Sequence, residues 1–340
     1  MTKILRISRR RPEVPKIRIA AEVLRKGGLV AFPTETVYGL GADALNRRAV
    51  RRVFKVKGRP ADDPVIVHIA DKKGIGRLAE EVPEEAEKLM ERFWPGPLTL
   101  VLKKTRVVPK VTTGGLDTVA IRMPNNEIAL SLIREAKTPV AAPSANLFGK
   151  PSPTSAGHVI HDLNGKVDVI IDGGRTRIGV ESTVVDLTSS PPMLLRPGGV
   201  TVEELREVLG DVLLHPAVKG EKGSMFARSP GMKYRHYAPE AKVIVVEGRA
   251  DKVREKIHEL ARKYEKSRVG VITTDRKHTY DVDAVFVGTE PREIARNLFK
   301  IFREFDERVD VILAESISEK GLGLAVMNRL KKAAYKVVRV

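Results

Sequence analysis

Between Asp211 and Glu240 every periodic pattern in this chain stops. The segment is rich in Gly, Pro, Ser, Lys and Arg, and no acid interrupts it between Lys222 and Glu240. By composition this is a linker, and it splits the chain into two parts that each need a core. The length of 340 residues permits this, since single cores are usually exhausted near ~250–300 residues. A plain solvated linker does not need Met225, Phe226, Met232, Tyr234 and Tyr237. Those side chains predict a segment that docks on something, because long loops without secondary structure are usually functional or disordered. The expected organisation is one domain over residues 1–210, a basic connection over 211–240 and a second domain over 241–340.

The two flanks have different rhythms. After a basic N-terminal segment and the helical run IRIAAEVLRKGG, the first part reads as LVAF, PVIVHI, LTLVLKK, TVAIRMP, TPVAAPSAN, VDVIID, STVVDLT and MLLRPG. These are apolar strand patterns, several of them following one another without a helix between. Helices are predicted at NRRAVRRVFKVKG, PEEAEKLMERFW, NEIALSLIREAK and TVEELREVLG. Such an order fits a twisted mixed sheet with flanking helices better than a purely parallel one. Beyond Glu240 strands and helices alternate regularly, from AKVIVVEG to YKVVRV. That alternation predicts a small doubly wound, Rossmann-like domain, so the fold class is α/β.

Several chemistries are excluded at once. The chain has no cysteine, hence no disulfide, thiolate metal site or cysteine nucleophile. It has no G-x-x-x-x-G-K-[ST], no H-E-x-x-H and no G-x-S-x-G, and GLGLAV near Gly321 lacks the third glycine of a dinucleotide fingerprint. No apolar run approaches the ~18 residues of a membrane span. The N-terminus MTKILRISRRRPEVPK has no apolar core of a signal peptide. A cytoplasmic protein without membrane contact is expected. The formal net charge of +18 attracts polyanions, so nucleotides, RNA and acidic surfaces are all candidate partners. Glutamine is absent and charged residues make up 31%, a bias found in proteins from hot environments.

The residues that could carry chemistry cluster at strand ends. From Gly28 to His68 an apolar strand stops at Pro33-Thr34-Glu35-Thr36, a Gly-punctuated turn follows, and a helix brings Lys57 and Arg59 back. Hydroxyls, glycines and paired cations describe an anion site, and Pro60 and Pro64 fix the loop after the cations. Read as exposed cations, Lys57 and Arg59 would each stabilise the fold by no more than ~1 kcal/mol. Ser144 and Asn146 sit in PSAN, where a turn bonding its own backbone competes with a site for phosphate oxygens or a base edge. Arg122 lies inside the apolar strand TVAIRMP, so it must either meet an internal carboxylate or bind an anionic ligand. His68 at the end of VIVH reads as a core histidine or a site residue.

Together these stretches resemble one family, the threonylcarbamoyl-AMP synthases, whose catalytic part is the YrdC-like domain. The matching motifs are PTETVYGLG, KGRP with Pro64, PSAN, GVESTVVD and LRPG, and SPGMKYRHYAP before an α/β domain matches the long two-domain form. One departure is Asp63, where many relatives carry an amide. The resemblance implies that L-threonine, bicarbonate and ATP give threonylcarbamoyl-AMP and pyrophosphate, a nucleotidyltransferase reaction. It also implies that the product passes to a tRNA threonylcarbamoyl transferase complex.

By that resemblance Thr36, His68, Arg122 and Ser182 form the threonine pocket. Lys57, Arg59, Ser144, Asn146 and Arg196 surround the ATP phosphates and the carbamate. Asp63, Thr118 and Ser152 would contact nucleotide, and Tyr234 would fold over the mouth as part of a lid. Mg2+ would arrive with ATP. Two other readings use the same features: a double-stranded RNA or tRNA-binding module, and a carbamoyl-adenylate-forming enzyme. Because the product is labile in water, a lid is a chemical requirement. Deleting residues 222–239 is therefore expected to cut product formation severely while the first domain stays folded; near-normal turnover in that truncation would remove the lid.

Overall fold

A computed structural model describes residues 1–218 and 237–340. The described chain divides into two compact units, one of residues 1–148 and 152–218, the other of 149–151 and 237–340.

The first unit starts with β1 (Lys3–Arg6), α1 (Val14–Arg25), β2 (Val30–Pro33), β3 (Tyr38–Asp43), α2 (Arg47–Lys57) and β4 (Ile66–His68). It continues with α3 (Glu84–Phe93), β5 (Leu98–Lys103), β6 (Thr118–Arg122), α4 (Glu127–Ala136), β7 (Val140–Ala141) and α5 (Ala156–Leu163). It closes with β8 (Val169–Asp172), β9 (Thr183–Asp186), β10 (Met193–Arg196), α6 (Val202–Leu209) and β11 (Leu213–Leu214). The strands form one sheet in the order β1-β8-β2-β3-β7-β4-β6-β5-β9-β10-β11. It is mixed, as the strand-rich pattern implies: β4 and β6 run parallel, while β5 and β6 run antiparallel.

Alternation along β2 shows why the sheet is covered on both faces. Val30 and Phe32 pack with Ile17 and Leu24 of α1 and Leu132 and Ile133 of α4. Leu29 and Ala31 point the other way, onto Ala49 and Val53 of α2 and Val159 and Leu163 of α5. Each such side chain removed from water stabilises the fold by ~1.5–3 kcal/mol. The N-terminal segment, read from sequence only as basic, is in fact strand β1, parallel to β8. Leu5, its buried residue, joins the α1 cluster. At the other end β11 pairs with β10, so the sheet runs past residue 210.

The second unit contains β12 (Lys242–Glu247), α7 (Ala250–Lys263), β13 (Val269–Thr273), β14 (Asp283–Phe286), α8 (Pro291–Asp306), β15 (Val311–Glu315), α9 (Gly323–Ala333) and β16 (Lys336–Arg339). All its pairings are parallel, in the order β14-β13-β15-β12-β16. Right-handed crossovers then place α7 on one face and α8 with α9 on the other, which is the expected doubly wound arrangement. Tyr237 is buried here, its ring 5.5 Å from that of Phe299 and 5.2 Å from the Arg329 guanidinium. Tyr237, expected in the connecting segment, is thus part of this unit. Residues 219–236, with Met225, Phe226, Met232 and Tyr234, lie outside the described residues. No helix among the described residues is long and apolar enough to cross a membrane.

Candidate active site

The polar residues of the first unit meet where β2, β4, β5, β6 and β9 end or begin. Arg122 is the centre. It closes β6, level with His68 of β4 and with Thr99 of β5, and it is buried. Of the two fates open to a charge in an apolar strand, the structure shows the first: Arg122 Nη2 lies 2.7 Å from Glu35 Oε1. Its Nε donates to the Gly96 carbonyl at 3.1 Å and its Nη1 to Thr36 Oγ1 at 3.0 Å. The turn that presents Glu35 and Thr36 is held by Thr34, whose hydroxyl donates to the Val37 carbonyl at 2.7 Å and accepts from the Thr36 and Val37 amides. With that proton committed, the 2.8 Å contact between the Thr34 and Thr36 hydroxyls has Thr36 as donor. A chain of hydrogen bonds thus runs from Arg122 through two threonines to the backbone.

His68 completes this side. Its ring is buried, edge-on to Phe32 with centroids 6.3 Å apart. Burial, and secondarily the nearby Arg122 charge, push its pKa down to about 3. At neutral pH the imidazole is therefore uncharged.

A second group gathers around Ser182. Its Oγ lies 2.8 Å from Thr99 Oγ1 and accepts from Arg196 Nη2 at 3.1 Å. The same guanidinium grips the Ser182 carbonyl through Nε at 3.1 Å and Nη2 at 2.9 Å. This closeness needs a glycine nearby, since a Cβ on Gly198 would lie 2.3 Å from the Thr183 amide nitrogen and 2.4 Å from the Glu181 carbonyl oxygen. Ser152, in turn, donates to the Glu181 carboxylate, and both are buried.

The cations after α2 are not exposed, contrary to the sequence expectation. Asn46 caps the start of that helix and Gly58, at φ 66°, ends it in the left-handed region a glycine tolerates. Lys57 is only 3% exposed, and its ammonium donates to the Ser144 and Asn146 carbonyls. Arg59 is 9% exposed, donates to the Pro64 carbonyl at 2.8 Å and pairs with the fully buried Asp63 at 3.0 Å. Basic spacing looked like a solvated face because sequence does not reveal that the helix end is covered by the PSAN loop. That loop is further joined to the helix by the Phe148 amide, which donates to the Lys57 carbonyl.

The structure therefore unites Thr36, His68 and Arg122; Ser182 and Arg196; Lys57, Ser144 and Asn146; Arg59 and Asp63; and it sets Ser152 on Glu181. It does not bring Thr118 to Arg122. Thr118 opens β6 and Arg122 closes it, about 13 Å apart along the strand at ~3.3 Å per residue. Tyr234 is outside the described residues. Three residues of this cluster carry no role in the sequence analysis: Glu35 and Glu181, which lie in its motifs, and Thr99. The one available signal was for Glu35, because a buried arginine in an apolar strand demands a carboxylate and PTET contains one.

A mixed α/β sheet with buried cations, hydroxyls and carboxylates at its strand ends defines a binding protein for small, charged, polar ligands. A family model described as telomere recombination, that of the Sua5/YciO/YrdC proteins, matches residues 22–198. A second, described as threonylcarbamoyl-AMP synthase, C-terminal domain, matches residues 200–335. The chain belongs to the Sua5/YciO/YrdC family, in its two-domain threonylcarbamoyl-AMP synthase form. It is 62% identical over 345 residues to the threonylcarbamoyl-AMP synthase of Pyrococcus abyssi, covering 100% of both chains. It is 50% identical over 329 residues to that of Bacillus subtilis, covering 94% of this chain and 93% of the relative. Among solved structures, P. abyssi Sua5 complexed with L-threonine superposes with a TM-score of 0.96 at 60% identity, covering 100% of both chains. Escherichia coli YciO superposes at 0.54 with 29% identity, covering 58% of this chain and 96% of that one.

Two outcomes follow from the geometry. Lys57→Ala removes a buried charged donor from the Ser144 and Asn146 carbonyls, although the Ser144 carbonyl keeps the Asn146 amide; since hydrogen bonds to charged groups contribute ~1.5–3 kcal/mol, it is expected to lower unfolding free energy by roughly 2 kcal/mol or more, read from urea melts. A change no larger than that of an exposed lysine would mean the ammonium is not needed there. For His68 the folded pKa lies below its ordinary 6.5, so its stabilisation is complete above 6.5 and drains away as pH falls toward 3. The urea midpoint of the first unit, followed through the buried single tryptophan Trp94, is expected to drop between pH 7 and 5, and to drop less in His68→Asn.

Proposed function

We infer that this protein is an L-threonylcarbamoyladenylate synthase: it joins L-threonine, bicarbonate and ATP into threonylcarbamoyl-AMP and releases pyrophosphate. The observation that carries the reading is the buried Arg122 fork at the end of β6, beside Thr36 and His68, in a chain that aligns end to end with a threonylcarbamoyl-AMP synthase. A buried guanidinium supported in this way is a partner for a small carboxylate, and threonine carries one.

The chemistry asks for placement more than for a protein nucleophile. The threonine amine and bicarbonate give a carbamate and water, and a carbamate oxygen then attacks the α-phosphate of ATP in line with the departing pyrophosphate. Arg196, anchored on Ser182, supplies fixed positive charge where negative charge accumulates. Lys57 acts by holding the Ser144–Asn146 loop in place, and Arg59 does the same for the loop ending at Pro64. Mg2+ would enter as part of the ATP substrate and supply positive charge against the triphosphate. The product goes to a tRNA threonylcarbamoyl transferase complex in the cytoplasm, and the net charge of +18 favours RNA nearby.

One assay separates the readings. Pyrophosphate release from ATP is expected to require threonine and bicarbonate together, and to stop on chelation of Mg2+. Release supported by carbamoyl phosphate instead, or tRNA binding without any turnover, would overturn the assignment.

A further inference from the structure

The ion pair between Arg122 and Glu35 is incomplete in a specific way. Nη2 and Oε1 are 2.7 Å apart, yet Nη2, Oε1 and Oε2 are all buried and none of them makes an aligned hydrogen bond. The other contacts of the guanidinium are settled on Gly96 and Thr36. Buried polar atoms are hydrogen-bonded as a rule, and a group left short costs ~1–3 kcal/mol, more when charged. The neighbouring His68 ring is buried as well. What is missing is a donor for Glu35 and an acceptor for Arg122, side by side. The head group of an α-amino acid supplies both, since a single carbon separates its ammonium from its carboxylate.

We propose that Glu35 receives the α-ammonium group of the substrate amino acid and takes its proton, so that a neutral amine meets bicarbonate. This rests on the synthase reading above. One N–H bond of the ammonium breaks and its proton passes to a Glu35 oxygen. The freed lone pair forms the N–C bond to bicarbonate, while a second amine proton and the bicarbonate hydroxyl leave as water. Ammonium, carboxylate and bicarbonate thus become carbamate, carboxylic acid and water, with one negative charge on each side. Glu35 has no part in the second half, where the carbamate displaces pyrophosphate.

The two halves can be measured separately in the full-length protein. Forward turnover is pyrophosphate release with threonine, bicarbonate and ATP; the second half alone is ATP formation from threonylcarbamoyl-AMP and pyrophosphate. In Glu35→Gln the forward rate is expected to fall roughly 100-fold or more, the range for a lost general base. It should then recover about tenfold per pH unit as solution supplies neutral amine. ATP formation should stay within a few-fold of wild type. Equal loss in both directions would make Glu35 a mere keeper of Arg122, and an unchanged forward rate would overturn the proposal outright. A wild-type protein that makes no ATP from threonylcarbamoyl-AMP would instead overturn the synthase reading. Glu35→Asp keeps the charge against Arg122 and withdraws the oxygens, so it is expected to show the same split; if the glutamine variant does not fold, the aspartate variant decides.

Discussion

A guanidinium in the middle of an apolar sheet sets the terms for this domain. Taking Arg122 out of water costs several kcal/mol unless its charge and its N–H groups are met. The surrounding structure meets the charge with the Glu35 carboxylate and two of the donor nitrogens with the Thr36 hydroxyl and the Gly96 carbonyl, while Nη2 keeps no aligned hydrogen bond. Those partners in turn fix the geometry of the β2–β3 turn, through the linked threonine hydroxyls. The positions of Glu35 and Thr36 are consequences of where Arg122 sits.

The same economy applies to the other cations. Lys57, Arg59 and Arg196 are all buried, and each spends donors on backbone carbonyls of a neighbouring loop or strand end. A pocket for anionic substrates needs positive charge that is already in place, because charge that must reorganise during reaction stabilises a transition state less. Tying cations to the backbone gives that rigidity. The large excess of surface charge is a separate matter, concerned with solubility and with attraction of polyanions at a distance.

Much of the fold is legible in the sequence. Apolar runs mark most strands, runs such as NRRAVRRVFKVKG and TVEELREVLG mark helices that the structure shows capped by Asn46 and Thr201, and regular strand–helix alternation marks the second domain. The N-terminal strand is not evident from sequence because its only buried residue, Leu5, stands beside Lys3, Ile4 and Arg6, all exposed, in a segment that reads as basic. The cations after α2 were misread as exposed because helical spacing reports a face, and not what covers it. Glu35, named only as part of the turn after the strand, has no role from sequence because nothing local distinguishes a buried acid from one in a polar turn.

The sequence by itself determined the local conformations, the division into two α/β parts and the set of side chains available for chemistry, since each of these depends on neighbours within a few positions. Only the tertiary structure decided which side chains meet. Thr36 and Arg122 are 86 positions apart, and Lys57 and Asn146 are 89 apart. Their contacts are set by strand order and register, which place β4, β6 and β5 side by side and bring the ends of distant segments together. Burial then fixes the charge state, as it does for His68, because the desolvation that pushes its pKa down arises from packing on every side and has no counterpart in the linear chain.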